Sequence, residues 1–257
     1  MSRDEFERAR SHDPSLSGLG EKQAVELGAG IERFLLKPLS PRLRDIKKAR
    51  KSSVPSRITV AVSPMRRTLM TSIPLISALE ELNSKKVVSL DRIEVVPFIY
   101  EVGGCYSEVN GSFVGHPGLT SDEVRKYIPS AVVDESMNKG WWASQSRETE
   151  EEFEIRVSRT VEWIRNATWE GKSDVLIIIT HQDFACSVIR RLTQAPGLNW
   201  LYNTSLSSLT LDPIPKSDFD PDAFDVGADG AISRIRHCRV TVDWINAVDH
   251  LSLKNIS

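Results

Sequence analysis

The sequence predicts a three-layer α/β domain, with a mostly parallel sheet between helices. Short β-branched or apolar runs alternate along the chain with amphipathic helical patterns. One of these runs, Asp174 to Thr180, is nearly continuously apolar, which is typical of a strand buried on both faces of a parallel sheet. No repeat and no long linker divides the 257 residues, so we predict one domain over 1–257.

The first half of the chain contains a helix, a strand and a second helix. An apolar stripe over 17–36 predicts an amphipathic helix that ends before Pro38. The basic segment from Lys37 to Arg57 is either a solvated loop or short helix, or a binding patch for an anionic partner. Ile58 to Val62 is a strand, and a helical pattern over 69–79 follows it.

The second half repeats this alternation and ends in strands. A Gly- and Asn-rich stretch, Gly103 to Gly118, is expected to be an irregular loop. The predicted strands are Ile93 to Ile99, Asp174 to Thr180, Leu206 to Leu211 and Arg239 to Trp244, and the predicted helices are 149–167 and Phe184 to Leu192.

The composition excludes several functional classes. Lys and Arg total 33 against 35 Asp and Glu, so the overall charge indicates no nucleic acid partner. Apolar runs are far shorter than the roughly 20 residues that cross a bilayer, and the N-terminus lacks a signal-peptide core. We therefore expect no membrane partner and a cytoplasmic location. Three cysteines without a CxxC pair indicate neither a disulfide framework nor a zinc site, and nothing indicates an oligomeric state.

Polar side chains follow three of the predicted strands, where active sites of open α/β sheets collect. Arg67 follows the first strand, Glu101 the second, and His181 the long apolar strand. A guanidinium can bind phosphate, a carboxyl group can donate a proton, and an imidazole can serve as a second cation or transfer a proton. The three groups together indicate phosphoryl transfer.

The order of the motifs resembles the histidine phosphatase superfamily, the phosphoglycerate mutase-like enzymes. The matching segments are Leu16-Ser17-Gly18-Leu19-Gly20-Glu21-Lys22-Gln23-Ala24, Ser63 to Thr71, Glu101-Val102-Gly103-Gly104 and Thr180-His181. The resemblance implies a phosphomonoester hydrolase or phosphomutase that acts on a small phosphorylated substrate without a metal or cofactor. It also implies that Arg67 and His181 bind phosphate and that Glu101 is the general acid.

The chain departs from the family pattern in two places. Gln182 follows His181 where the family has glycine, and its side chain could reach the pocket or partly close it. The family's nucleophile lies in an Arg-His-Gly sequence that ends the first strand, and this chain has no such sequence. His12 is the only histidine upstream of the Leu-Ser segment, but its neighbours Ser11 and Asp13 do not match, so we identify no nucleophile.

The missing motif leads to two expectations about the chain. We expect that the family's first strand is missing, so that the domain is N-terminally incomplete, and that the chain is inactive as given. A truncated version of a longer active protein is favoured over a diverged pseudoenzyme. The alternative function is non-catalytic binding of a phosphorylated ligand.

Overall fold

The structure is a computed structural model that describes residues 11–36, 57–144, 146–169, 174–213, 224–226, 232–234 and 238–256. Its helices are α1 (Gly18–Leu36), α2 (Arg66–Ser84), α3 (Ser121–Tyr127), α4 (Glu150–Trp169) and α5 (Gln182–Thr193), with 3₁₀ turns over Glu135–Lys139 and Leu253–Asn255. Its strands are β1 (Arg57–Val62), β2 (Ser89–Val95), β3 (Tyr106–Val109), β4 (Ser112–Gly115), β5 (Val132–Val133), β6 (Val175–Ile179), β7 (Leu206–Pro213), β8 (Phe224–Val226), β9 (Ile232–Arg234) and β10 (Cys238–Ala247).

The central sheet has four parallel strands in the order β5-β2-β1-β6. Its register pairs Val62, the last residue of β1, with Val95 on β2 and with Ile179 on β6. The three strands therefore end at the same level, and the segments that follow them share one edge of the sheet. The predicted α/β fold with a parallel sheet flanked by helices is confirmed.

Helices cover both faces of this sheet, and each face has its own apolar core. Ile58, Val60 and Val62 of β1 point to a core shared with α1 and α2, whereas Ala61 points to a core shared with α4 and α5. This alternation follows from the two-residue period of a strand. The side chains of β6 divide between the two cores in the same way.

One difference from the sequence prediction concerns the burial of β6. Its side chains pack on both faces, as expected, but all five remain partly exposed. The reason is its position, because β6 is the end strand of the sheet as described and pairs only with β1. In the described part of the chain, β7 pairs with β10 in a separate antiparallel sheet.

The prediction of an irregular loop over Gly103 to Gly118 is wrong in part, because this segment contains the hairpin β3–β4. Asn110 and Gly111 both have positive φ, 54° and 79°, at the tip of this hairpin. An Asn-Gly pair between short strands is the strongest short-range hairpin signal, so the sequence does contain an indication of this hairpin. The sequence patterns did not predict α3 or β5. The strand predicted over Ile93 to Ile99 begins and ends four residues after β2 does.

The ends of the described chain are held together by helix α1. Ser17 begins this helix, since its Oγ accepts a hydrogen bond from the backbone N of Gly20 at 3.1 Å. The side chain of Gln23 donates to the backbone O of Asn255 at 2.7 Å.

No described helix is long and apolar enough to cross a bilayer.

Two sequence predictions are not tested by this architecture. Most of the basic segment from Lys37 to Arg57 lies outside the described residues, so both of its interpretations stay open. The single domain over 1–257 and its missing first strand also stay predictions.

Candidate active site

The three residues singled out in the sequence lie at the carboxyl edge of the sheet. Arg67 is in the first turn of α2, Glu101 is in the loop after β2, and His181 is the N-cap residue of α5. Glu101 Oε1 accepts a hydrogen bond from the backbone N of Phe184, in the first turn of α5, at 3.3 Å. Burial raises the pKa of Glu101, and the nearby positive charge of Arg67 opposes this increase. The structure thus places all three residues at the same edge of the sheet.

A serine fixes the ring of His181. Ser63 Oγ and His181 Nε2 are 2.7 Å apart, and both residues are buried. The backbone N of Ser63 donates to the carbonyl O of Ile179 at 2.9 Å, which links the ends of β1 and β6. Ser63 opens the Ser-Pro-x-x-Arg motif, which was the only signal of its role.

The segment before α1 supports the start of α2. Met65, the N-cap residue of α2, provides no side-chain hydrogen bond, but Asp13 Oδ1 accepts one from the backbone N of Arg66 at 2.9 Å. A carboxylate at this position also interacts favourably with the helix dipole. Asp13 therefore helps to orient the turn that carries Arg67, a role that the sequence did not suggest.

His12 lies beside the start of α2 and against the loop that contains β3 and β4. Its ring stacks on that of His116 with centroids 4.3 Å apart. Its backbone O accepts a hydrogen bond from Cys105 Sγ at 3.7 Å. Burial lowers the pKa of His12, and the charges of His116 and Arg66 lower it further.

Glu101 is in surroundings that favour its protonated form. Burial raises its pKa above the ordinary value of 4.5, and the carboxylate of Asp183 adds to this increase. Backbone hydrogen bonds from Val102 and Phe184 and the charge of Arg67 oppose the increase but do not cancel it. A carboxyl group with a raised pKa is suited to donate a proton near neutral pH.

A buried ion pair holds the loop that carries Glu101. Arg156 donates to Glu148 through Nε (2.6 Å) and Nη2 (2.7 Å), and both side chains are almost fully buried, with 6% and 2% exposed. Arg156 Nη1 also donates to the carbonyl O of Phe98 (3.3 Å) and of Tyr100 (2.8 Å). Its guanidinium lies over the ring of Tyr100, 3.7 Å from the centroid.

Glu148, the partner of Arg156 in this ion pair, also contacts the loop that carries Glu101. It accepts hydrogen bonds from Tyr100 Oη at 3.1 Å and from the backbone N of Gly103 at 3.2 Å. Residues on both sides of Glu101 are therefore tied to one ion pair. We refer to Glu148 and Arg156 as the loop clamp; no motif in the sequence indicated it.

Gln182 is the first residue of α5 and is partly exposed. Its predicted reach into the pocket stays a prediction. Among the described residues, no three His, Cys, Asp or Glu side chains lie together as a metal site would require. The groups at this edge are instead suited to an anion, because a guanidinium and an imidazole lie beside the N-termini of two helices.

The raised pKa of Glu101 predicts a pH-dependent gain in stability for Glu101→Gln. The folded protein disfavours the charged carboxylate, so the contribution of Glu101 to stability is lost as pH rises above 4.5 through its folded-state pKa. Glutamine keeps an oxygen acceptor but does not ionise. We therefore expect the melting temperature of the variant, relative to wild type, to rise between about pH 4 and pH 7.

Glu81→Gln is a control for which we expect the opposite change of relative stability with pH. The hydrogen bond from Lys85 lowers the pKa of Glu81, so this variant should lose relative stability over the same interval, by a small amount because the pair is exposed. Thermal unfolding at both pH values measures the differences. A difference for Glu101→Gln that does not change with pH would contradict the prediction.

The predicted family resemblance is confirmed, because residues 111–215 match the histidine phosphatase superfamily (branch 1). Among solved structures, a mycobacterial hydrolase aligns with a TM-score of 0.46 and 16% identity, over 96% of this chain and 87% of that chain. A mycobacterial glucosyl-3-phosphoglycerate phosphatase in complex with inorganic phosphate aligns with a TM-score of 0.45 and 15% identity, over 95% of this chain and 94% of that chain. No curated protein matches the chain.

Proposed function

Because the chain matches the histidine phosphatase superfamily over residues 111–215, we propose that its site binds the phosphoryl group of a small phosphomonoester, as in hydrolase or mutase chemistry. The observation that carries this proposal is the placement of Arg67, Glu101 and His181 at one edge of the sheet. Two of these groups suit a phosphate dianion, and the third is a carboxyl group whose pKa burial raises.

Each of the three residues has a separate role. Arg67 binds the non-bridging phosphate oxygens through its planar guanidinium, and His181, held by Ser63, contributes a second hydrogen-bond donor. Where an acceptor for the phosphoryl group is supplied, Glu101 would protonate the ester oxygen while the bond between phosphorus and that oxygen breaks and the bond from phosphorus to the acceptor forms. The leaving group then departs as a neutral alcohol.

The phosphoryl acceptor is not identified in this chain. The family's acceptor is a histidine in an Arg-His-Gly sequence, which the 257 residues do not contain. We therefore expect the chain to bind phosphate without turning over a phosphomonoester. This behaviour would correspond to the second candidate function, a binding protein for a phosphorylated ligand.

Titration calorimetry with inorganic phosphate tests the proposed site. We expect wild type to bind phosphate and Arg67→Ala to bind it roughly 10- to 100-fold more weakly, because a charge-assisted hydrogen-bond donor is lost. The control is Arg125→Ala, which removes an exposed arginine of α3 that pairs with Asp122. It should bind phosphate as wild type does. No binding by wild type, or equal binding by Arg67→Ala, would reject the proposal.

Release of nitrophenol from p-nitrophenyl phosphate distinguishes the two candidate functions. We expect no release above the buffer rate. Release that decreases in Glu101→Gln would identify an enzyme and contradict the expected inactivity. Release that instead disappears in His12→Ala would assign the acceptor to His12, against the sequence interpretation.

A further inference from the structure

Helix α1 binds the last turn of the described chain, residues 249–255, through one carboxylate. We refer to these residues as the C-terminal turn. Glu26 Oε2 accepts a hydrogen bond from the backbone N of Ser252 at 3.0 Å, and Oε1 accepts from Ser252 Oγ at 3.0 Å and from Asn255 Nδ2 at 2.9 Å. These bonds, above all the one from the backbone of Ser252, lower the pKa of Glu26 below its ordinary value of 4.5. The turn is therefore tied to α1 by charge-assisted hydrogen bonds near neutral pH.

His250, near the start of this turn, packs against the same helix. The two chains of atoms approach so closely that a Cβ on Gly30 would lie 2.5 Å from the Cβ of His250. The ring of His250 meets the ring of Phe34 edge-on, with centroids 5.6 Å apart. Phe34 is buried, and its ring also contacts that of Trp244 on β10. The imidazole therefore lies in a closely packed, largely apolar position on α1.

This position favours the neutral form of the imidazole. Both ring nitrogens of His250 are buried, and neither has a hydrogen-bond partner of good geometry among the described residues. Burial lowers the pKa of His250 below 6.5. Three groups oppose this decrease without cancelling it: the carboxylate of Glu26 on α1, that of Asp249 in the turn, and the backbone of Thr204 before β7. Protonation of the ring is therefore unfavourable while the turn is in place.

We propose that His250 is a pH-sensitive latch, which holds the C-terminal turn on α1 while its ring is neutral and releases the turn when the ring is protonated. The released ring binds a proton more readily than the packed one. The contribution of His250 to stability is therefore complete above pH 6.5 and is lost as pH falls below 6.5 toward the folded-state pKa. Glu26 keeps its charge over this interval, so the change is due to the imidazole.

The latch supports the helical layer that carries Arg67. α1 and α2 share one apolar core, and they approach so closely that a Cβ on Gly28 would lie 2.6 Å from the backbone O of Pro74. Release of the turn removes hydrogen bonds and packing from the outer side of this helix pair. The latch does not depend on the proposed function, because none of its residues belongs to the candidate active site.

Amide hydrogen exchange followed by NMR tests the latch in the whole chain. We expect the protection of the Ser252 amide, corrected for the intrinsic exchange rate, to fall about threefold or more between about pH 7 and about pH 5.5, since a proton bound only after release shifts the opening equilibrium by at most about tenfold per pH unit. His250→Phe keeps a ring against Phe34 but cannot be protonated, and His250→Gln is a smaller polar replacement. In both variants the protection should be nearly the same at the two pH values.

His116→Gln is the matched control, because His116 is also a partly buried histidine, but it bonds to Ser107 of β3. It should lose protection at Ser252 as wild type does. The ring signals of His250 in wild type give its pKa without any variant, and this pKa should lie below 6.5. A ring pKa at or above 6.5, unchanged protection in wild type, or an equal loss in both His250 variants would overturn the proposal.

Discussion

Arg156→Leu should lower the free energy of unfolding by about 3–5 kcal/mol, because it leaves the carboxylate of Glu148 buried without its counter-charge. The side chain of Glu148 is only 2% exposed, so water cannot replace the guanidinium. The carbonyl groups of Phe98 and Tyr100 would lose a donor at the same time. Urea unfolding followed by tryptophan fluorescence measures the loss.

A double variant separates the buried charge from the rest of the clamp. The double variant Arg156→Leu with Glu148→Leu removes both charges. We therefore expect it to regain a large part of the free energy of unfolding that Arg156→Leu loses. Arg191→Ala breaks the exposed pair with Glu154 and should cost at most about 1 kcal/mol. A double variant less stable than Arg156→Leu would show that the hydrogen bonds to the loop of Glu101, and not charge pairing, dominate the contribution of the clamp.

The second large effect is expected for Gly104→Ala, in the glycine pair that follows Glu101. Gly104 has a φ of +77°, which an L-residue adopts only with strain. A Cβ at this position would also lie 2.4 Å from the ring of Trp142. Strain and overpacking each cost roughly 1–3 kcal/mol, so the expected loss in the free energy of unfolding is about 2–6 kcal/mol.

Gly111→Ala is the control that isolates the strain. Gly111 has a similar φ of +79° at the tip of the β3–β4 hairpin, but a Cβ there would meet no atom within 4 Å. We expect it to lose only the strain, about 1 kcal/mol. Urea unfolding of both variants gives the difference that is due to Trp142. Equal losses would mean that the ring moves aside at no measurable cost.

The glycine pair shows why part of the site could be predicted from the sequence. Gly103 has a φ of +88°, and a Cβ there would lie 2.6 Å from the ring of Tyr106, so neither position tolerates a side chain well. A Glu followed by glycines is therefore a local pattern with a structural cause. Ser63 is also part of a local pattern, since it opens the Ser-Pro-x-x-Arg motif directly after β1.

The predicted loop shows where the sequence interpretation was incomplete. The Asn-Gly signal at 110–111 is local, and the hairpin could have been predicted from it. The partial exposure of β6 could not be predicted, because an apolar run of residues is compatible with a strand in the middle of a sheet and with one at its edge. Strand order, which decides the difference, depends on pairing between distant segments.

The sequence by itself determined the alternation of strands and helices and the three polar groups that follow the strands, because strand and helix periods are local properties and parallel strands end at one edge. Only the tertiary structure decided what surrounds those groups. His181 meets Ser63 across 118 positions, and Arg66 meets Asp13 across 53. The loop of Glu101 meets Arg156 and Glu148 only because α4 packs against it. Such contacts depend on packing between elements, and no local spacing encodes them.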